Sequence, residues 1–207
     1  MLTVLTATIE QVLNSLFSEY LILAFFFLFI IIFIETGVVF APFLPGDSLL
    51  FLAGTIISVK PPLYIVILFG ILSLAAILGD NLNYLIGKLV GKKLLQKGLV
   101  KQERISKTNE FFAKYGNKTI VLARFIPFVR TIAPFVAGIG KMNYSKFLIF
   151  NIVGGISWVF LFLFSGYFFG NIPIVKQNLS EVILIIVLIS LIPIAYEFIK
   201  SRIRKSK

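Results

Sequence analysis

The chain has 207 residues, 58% of them hydrophobic and 14% charged, with a mean hydropathy of +0.99 and a net charge of +11. A soluble domain carries roughly 25% charged and 45–50% apolar residues, so the expected solvent for most of this chain is the bilayer, around one membrane domain. Cysteine and histidine are absent, which excludes disulfides, thiolate chemistry, sulfur- or imidazole-bound metals and a histidine base, and leaves proton handling to Glu and Asp.

The opening residues carry Glu10 and Glu19 but no basic n-region, and the apolar run continues to membrane length, so a signal peptide is not expected. Residues 20–34 are unbroken hydrophobe, followed by Glu35 and further apolar residues. Pro42, Pro45 and Gly46 interrupt the stretch that leads to Asp47, which cannot be regular helix. Residues 48–59 are apolar but too short to cross a core about 30 Å thick, so 20–59 reads as a re-entrant hairpin. A spanning helix is expected over about 62–87, with Asp80 near its end after Gly79.

Between 88 and 118 nine basic residues face only Glu103 and Glu110. There Ile105, Phe111, Phe112 and Tyr115 fall near one helical face, as in a helix lying on the membrane surface. Residues 119–140 are apolar but broken by Pro127 and Pro134, and they contain Arg124 and Arg130. Spanning helices are expected over about 145–170 and 182–199, separated by a short polar loop and followed by the basic tail 200–207.

The positive charge flanks apolar segments, which points to topology rather than nucleic acid. With the basic tail and the 88–118 segment both cytoplasmic, 119–140 has to enter and leave on one side as a second hairpin, opposed to the first. Phe43-Leu44-Pro45 leading to Phe51-Leu52-Ala53-Gly54 is echoed by Phe125-Ile126-Pro127 leading to Phe135-Val136-Ala137-Gly138. The expected fold is therefore an all-α integral membrane protein, an inverted repeat with two opposed re-entrant hairpins and about three spanning helices.

Ionisable groups inside apolar sequence cost at least about 2.5–3.5 kcal/mol each at the bilayer centre. Glu35, Asp47, Asp80, Arg124 and Arg130 all bear that cost, which pairing between the acids and the arginines would lower. They read either as structural ion pairs or as a polar transport site. Arginine offers phosphate a planar donor fork, so Arg124 and Arg130 are candidate anion binders. Carboxylates in low dielectric can titrate near neutrality, so Glu35 and Asp47 are candidate proton carriers. Asp80 reads as an interfacial residue organising a helix end, Pro45, Gly46 and Pro127 as supporting backbone positions, and Trp158 and Tyr167 as lipid- or helix-packing aromatics.

The stretches Phe33-Ile34-Glu35-Thr36-Gly37, Phe43-Leu44-Pro45-Gly46-Asp47-Ser48-Leu49-Leu50, Gly79-Asp80-x-x-Asn83-Tyr84-x-x-Gly87 and Ala123-Arg124-Phe125-Ile126-Pro127-Phe128-Val129-Arg130-Thr131 closely resemble the DedA family of bacterial inner-membrane proteins, which carry the SNARE-associated or VTT domain. The likeness runs from about 17 to 200 and is nearest to the subgroup of the DedA protein itself. It implies a plasma-membrane protein that moves lipids or ions, with essential acids at Glu35 and Asp47 and essential arginines at Arg124 and Arg130.

The leading expectation is a flippase- or scramblase-like translocator of an anionic lipid, undecaprenyl phosphate or a phospholipid, coupled to the proton gradient. Its partners are then membrane lipids and protons, with no nucleic acid, no cofactor and no metal, and with a homo-oligomer left open. The alternative is a proton-coupled small-ion or drug transporter that maintains membrane potential. An envelope scaffold stands lower, as does a polyprenyl-phosphate enzyme. Pro45-Gly46-x-Ser48 resembles the loop of such an enzyme, but Leu49 stands where that loop has arginine.

Overall fold

A computed structural model describes residues 20–38, 46–97 and 102–170, together with Ile172, Pro173, Val175, Glu181 and Ile185. The turn at 41–45 with Pro45, the helix expected over 182–199 (Ile185 apart) and the basic tail lie outside the described residues. In chain order the helices are α1 Leu21–Gly37, α2 Gly46–Ile57, α3 Pro62–Gln96, α4 Gln102–Tyr115, α5 Thr119–Ala123, α6 Pro127–Arg130, α7 Ala133–Ile139 and α8 Tyr144–Phe169. A 3-10 turn, Gly116–Lys118, joins α4 to α5.

Helix α3 begins at Pro62, a residue pre-organised for the first helical position. Its 35 residues reach about 52 Å, well beyond the hydrocarbon core. Within Pro62–Gly91 of α3 the most apolar 18 residues have a mean hydropathy of 2.4, and the most apolar 18 of α8 have 2.3. The protein is thus an all-α integral membrane protein with two long apolar helices and several shorter ones. Each long helix exposes one apolar stripe, Leu74, Leu78, Leu85 and Leu89 on α3 and Ile149, Val153, Ile156 and Phe160 on α8, as lipid contact requires. The polar residues Asp80, Asn83 and Asn151 lie on the buried faces.

The chain divides into two compact units, one of Met1–Leu28, Pro45–Phe69 and Val159–Lys207, the other of Phe29–Leu44 and Gly70–Trp158. In the first, α2 is buried along its whole length. Gly54 lies against the Leu163 carbonyl and Gly166 against the Phe51 carbonyl, so closely that a β-carbon at either would overlap backbone. The Thr55 hydroxyl donates to the Gly166 carbonyl at 3.2 Å. The second unit repeats this clasp. Gly138 of α7 lies against the Tyr84 carbonyl of α3, and Gly87 of α3 against the Phe135 carbonyl. In both units a phenylalanine precedes one glycine by three positions, and an aromatic or leucine precedes the other by three. Small residues that let helix backbones touch are a common way to bind helices where lipid removes the hydrophobic driving force.

The remainder of the second unit is built around a broken helix. Past Val121 the backbone tightens into 3-10 bonding, with Arg124 N–H donating to Val121, Phe125 N–H to Leu122 and Ile126 N–H to Ala123. Ile126 is extended because Pro127 follows it, and Pro127 then starts α6. Pro134 lies in the first turn of α7. That helix ends with Met142 N–H on the Ala137 carbonyl and Lys141 N–H on Gly138, a left-handed cap with Lys141 at φ 53°. Tyr84 Oη donates to the Met142 carbonyl at 2.5 Å, fixing the entry to α8.

Helix α4 packs part of the face expected to lie on the membrane surface against the protein itself. Ile105 is buried in one cluster with Ile132, Phe135 and Val136, and half-buried Phe112 packs on the same group. Two of the four residues on that face are therefore packed against protein. Tyr115 is exposed, and the Phe111 side chain lies outside the described residues.

Candidate functional site

The second unit contains two buried arginine–acid pairs. Arg124 follows α5 and is 3% exposed. Its Nη2 donates to Asp80 Oδ2 at 2.6 Å and to Asn151 Oδ1 at 2.6 Å, and lies 3.3 Å from the Ala76 carbonyl. Asn151 in turn donates from Nδ2 to the Ile77 carbonyl at 3.0 Å, tying α8 to α3. The arginine chain runs over Gly154 and Gly155, where a β-carbon would stand 3.0 Å from Arg124 Cδ and 3.4 Å from Nη2.

Arg130 ends α6, and its Nη2 donates to Glu35 Oε1 near the end of α1. Its guanidinium carbon is 4.9 Å from the Trp158 ring centre, a cation–π contact that is strongest on tryptophan. The backbones beside this pair are joined by one residue. Asn83 Nδ2 donates to the carbonyl of Thr36, next to Glu35, at 3.1 Å and to that of Thr131, next to Arg130, at 2.6 Å.

Thr36, Asp80, Arg124, Arg130, Thr131 and Trp158 line one cavity with about 10 Å³ open to the centre of a water molecule, room for about one water. Thr131 Oγ1 and Arg124 Nε have no partner among the described residues and can be satisfied there. Arg124 and Asp80 line this space as a pair, and Arg130 reaches it from its pair with Glu35, so the charges compensate one another. A buried pair of this kind contributes little net stability when intact but costs about 3–5 kcal/mol when one partner is removed.

Of the residues singled out in the sequence, Glu35, Asp80, Arg124 and Arg130 meet in this unit. Asp47 belongs to the other unit, buried in the first turn of α2, where a carboxylate meets the positive end of the helix dipole. Gly46 opens α2 and Pro127 opens α6. Asp80 is not at a helix end. Helix α3 runs unbroken through Gly79, and a side chain there would collide with Thr36 and the Phe33 carbonyl, so the glycine serves close packing rather than termination. Arg124 consequently takes its acid from α3 and not from the first apolar hairpin.

A family model described as VTT domain matches residues 44–168, more than half of the chain. Protein DedA of Escherichia coli (strain K12) is 44% identical over 198 residues, covering 94% of this chain and 90% of that one. The chain belongs to the DedA family. Inner membrane protein YqjA of the same strain is 35% identical over 153 residues, covering 72% of this chain and 69% of its own. An uncharacterized membrane protein of Mycobacterium leprae (strain TN) is 45% identical over 167 residues, 79% and 74% of the two chains. No solved structure matches.

Membership of the DedA family makes this a multi-pass protein of the bacterial inner membrane, in a group generally implicated in lipid or ion transport rather than catalysis. Several of its site residues carried no role in the sequence reading. Asn83 stood only as part of a motif, and Thr36 and Thr131 only as neighbours of charged residues. Asn151 had a usable signal, a lone amide inside the apolar run of α8. Trp158 is not a lipid-facing ring: it is 1% exposed and lies against Arg130.

Proposed function

We propose that this protein moves an anionic lipid, undecaprenyl phosphate or a phospholipid, across the membrane in exchange with protons. Arg124 and Arg130 receive the lipid phosphate, and Glu35 and Asp47 carry the protons. The observation that supports this most is that Arg124 with its partner Asp80, and Arg130 from its pair with Glu35, line one small cavity. Arg124, held by Asp80, adds a fixed positive charge, while Glu35 occupies the Arg130 guanidinium that a phosphate would need. Protonating the acid neutralises it and frees the arginine, while an arriving phosphate replaces the lost negative charge, so the low-dielectric interior never holds an uncompensated cation. Room for about one water describes a closed state, which has to open before a lipid headgroup enters.

The same proposal takes residues 20–59 and 119–140 as opposed re-entrant hairpins of an inverted repeat, with the C-terminus cytoplasmic. The repeated glycine clasp supports that reading, since each unit grips one helix after a predicted hairpin turn by the same spacing. Single cysteines in this cysteine-free chain test it. With an impermeant thiol reagent on intact cells, Lys118→Cys, Lys146→Cys and Lys205→Cys should be shielded and Lys176→Cys labelled. Labelling at 146 but not at 118 would mean that 119–140 spans.

The cavity's size favours one second reading, a proton-coupled carrier of a small ion. Reconstitution into liposomes, with leaflet-resolved assays of undecaprenyl phosphate and ordinary phospholipids side by side, distinguishes the two. Lipid movement above empty liposomes is expected. Gradient dissipation without movement of any lipid would overturn the lipid reading.

A further inference from the structure

A buried asparagine lies beside each arginine, and the two are used differently. Asn151 is fully buried on α8. Its amide oxygen takes a hydrogen from the guanidinium of Arg124, and its amide nitrogen gives one to α3. The side chain of Arg124 is thereby fixed from two helices, with Asp80 on the same nitrogen and a floor of two glycines beneath it. Asn83, also fully buried, gives its two amide hydrogens to the carbonyls of Thr36 and Thr131. It fixes the backbone beside Glu35 and the backbone beside Arg130.

We propose that Asn83 and Asn151 are positioning residues that divide labour between the arginines. Asn151 makes Arg124 a stationary charge, and Asn83 keeps Glu35 and Arg130 in register while Arg130 exchanges partners. The chemistry uses the two amides differently. At 151 the oxygen that accepts from the cation does the positioning and the hydrogen given to the Ile77 carbonyl only adds to it, whereas at 83 both hydrogens of one nitrogen must reach two carbonyls. A carboxylate at 83 would face two carbonyl oxygens with no hydrogen to give. At 151 it would still accept from Arg124.

That last difference supplies the test. Exchanging acid and amide around Arg124, Asp80→Asn with Asn151→Asp, keeps one negative charge and one amide on the same guanidinium nitrogen. The expected result is that Asp80→Asn alone lowers gradient-driven lipid movement about tenfold or more, the fold-change of losing one hydrogen bond between charged groups, and that the exchange restores most of it. Asn83→Asp should lose movement equally and should not be rescued by any change at 151. The unfolding temperature of the four Asp80/Asn151 combinations, measured in detergent, should show the same rescue without reference to transport. An exchanged variant no better than Asp80→Asn in both assays, or one that fails to fold, overturns the assignment for Asn151. Full activity in Asn83→Asp overturns it for Asn83. This division rests on the lipid-phosphate reading only for its transport readout. Wild-type protein that moves no lipid while the stability rescue persists would end that reading and leave the positioning roles standing.

Discussion

Arg124 and Arg130 lie six positions apart in one broken apolar segment, and each is paired with an acid, yet their surroundings differ in kind. Arg124 stands in a continuous hydrogen-bonded turn, with its guanidinium shared between Asp80, Asn151 and a backbone carbonyl and its stem laid along two glycines. Arg130 ends a four-residue helix set between an extended residue and a further turn, and its guanidinium lies between a carboxylate and the face of an indole. Its side chain is also the more exposed of the two, at 10% against 3%. An aromatic face holds a cation without fixing its rotation, whereas hydrogen bonds from two helices fix both position and orientation. The difference teaches that burying a charge and fixing its orientation are separable. One pair is tied by hydrogen bonds to two helices, and the other rests on an aromatic face.

The largest effect that sharpens this contrast is on stability. Asp80→Ala leaves a fixed, buried cation with no acid and should cost about 3–5 kcal/mol, read as the unfolding midpoint in detergent. Glu35→Ala should cost clearly less, because Arg130 keeps Trp158 and can turn toward water. Equal losses would erase the distinction. Next in size is the response to lysine. The contacts of Arg124 with Asp80, Asn151 and Ala76 converge on one nitrogen, which an ammonium can imitate, so Arg124→Lys should retain most lipid movement. Arg130→Lys loses the planar fork and should fall about tenfold or more. The reverse order would assign the mobile role to Arg124. The smallest effect belongs to Trp158→Leu, which removes a cation–π contact worth about 0.5–2 kcal/mol and should depress movement modestly, without altering the response at Arg124.

The elements that break were legible because proline leaves little choice. Pro127 forces Ile126 into extended backbone, and Pro134 restarts the helix, both as their positions require. The charges were legible as a group because lipid tolerates few of them, and the meeting of Glu35 with Arg130 follows from that cost. Asp80 was misplaced because a glycine before it has two physical meanings, a helix end or a close approach, and only the neighbour across the gap (Thr36 here) decides between them. The apolar face of α4 had the same ambiguity: the pattern that lies on a membrane also packs on Ile132 and Phe135. Asn151 was passed over because a single amide barely lowers the hydropathy of a 26-residue apolar helix, although its burial makes it costly unless it is fully bonded.

The central claim is that release of Arg130 by protonation of Glu35 drives the movement of an anionic lipid. It is tested most directly by leaflet-resolved lipid movement in liposomes, with and without an imposed pH gradient, for the wild-type chain and for Glu35→Gln. The amide is close in shape to the acid but cannot titrate. Wild type should respond to the gradient, and Glu35→Gln should lose that response while Arg130 still binds lipid. Movement that is indifferent to the gradient in wild type, and unchanged in Glu35→Gln, would contradict the account and leave Glu35 a structural partner of Arg130.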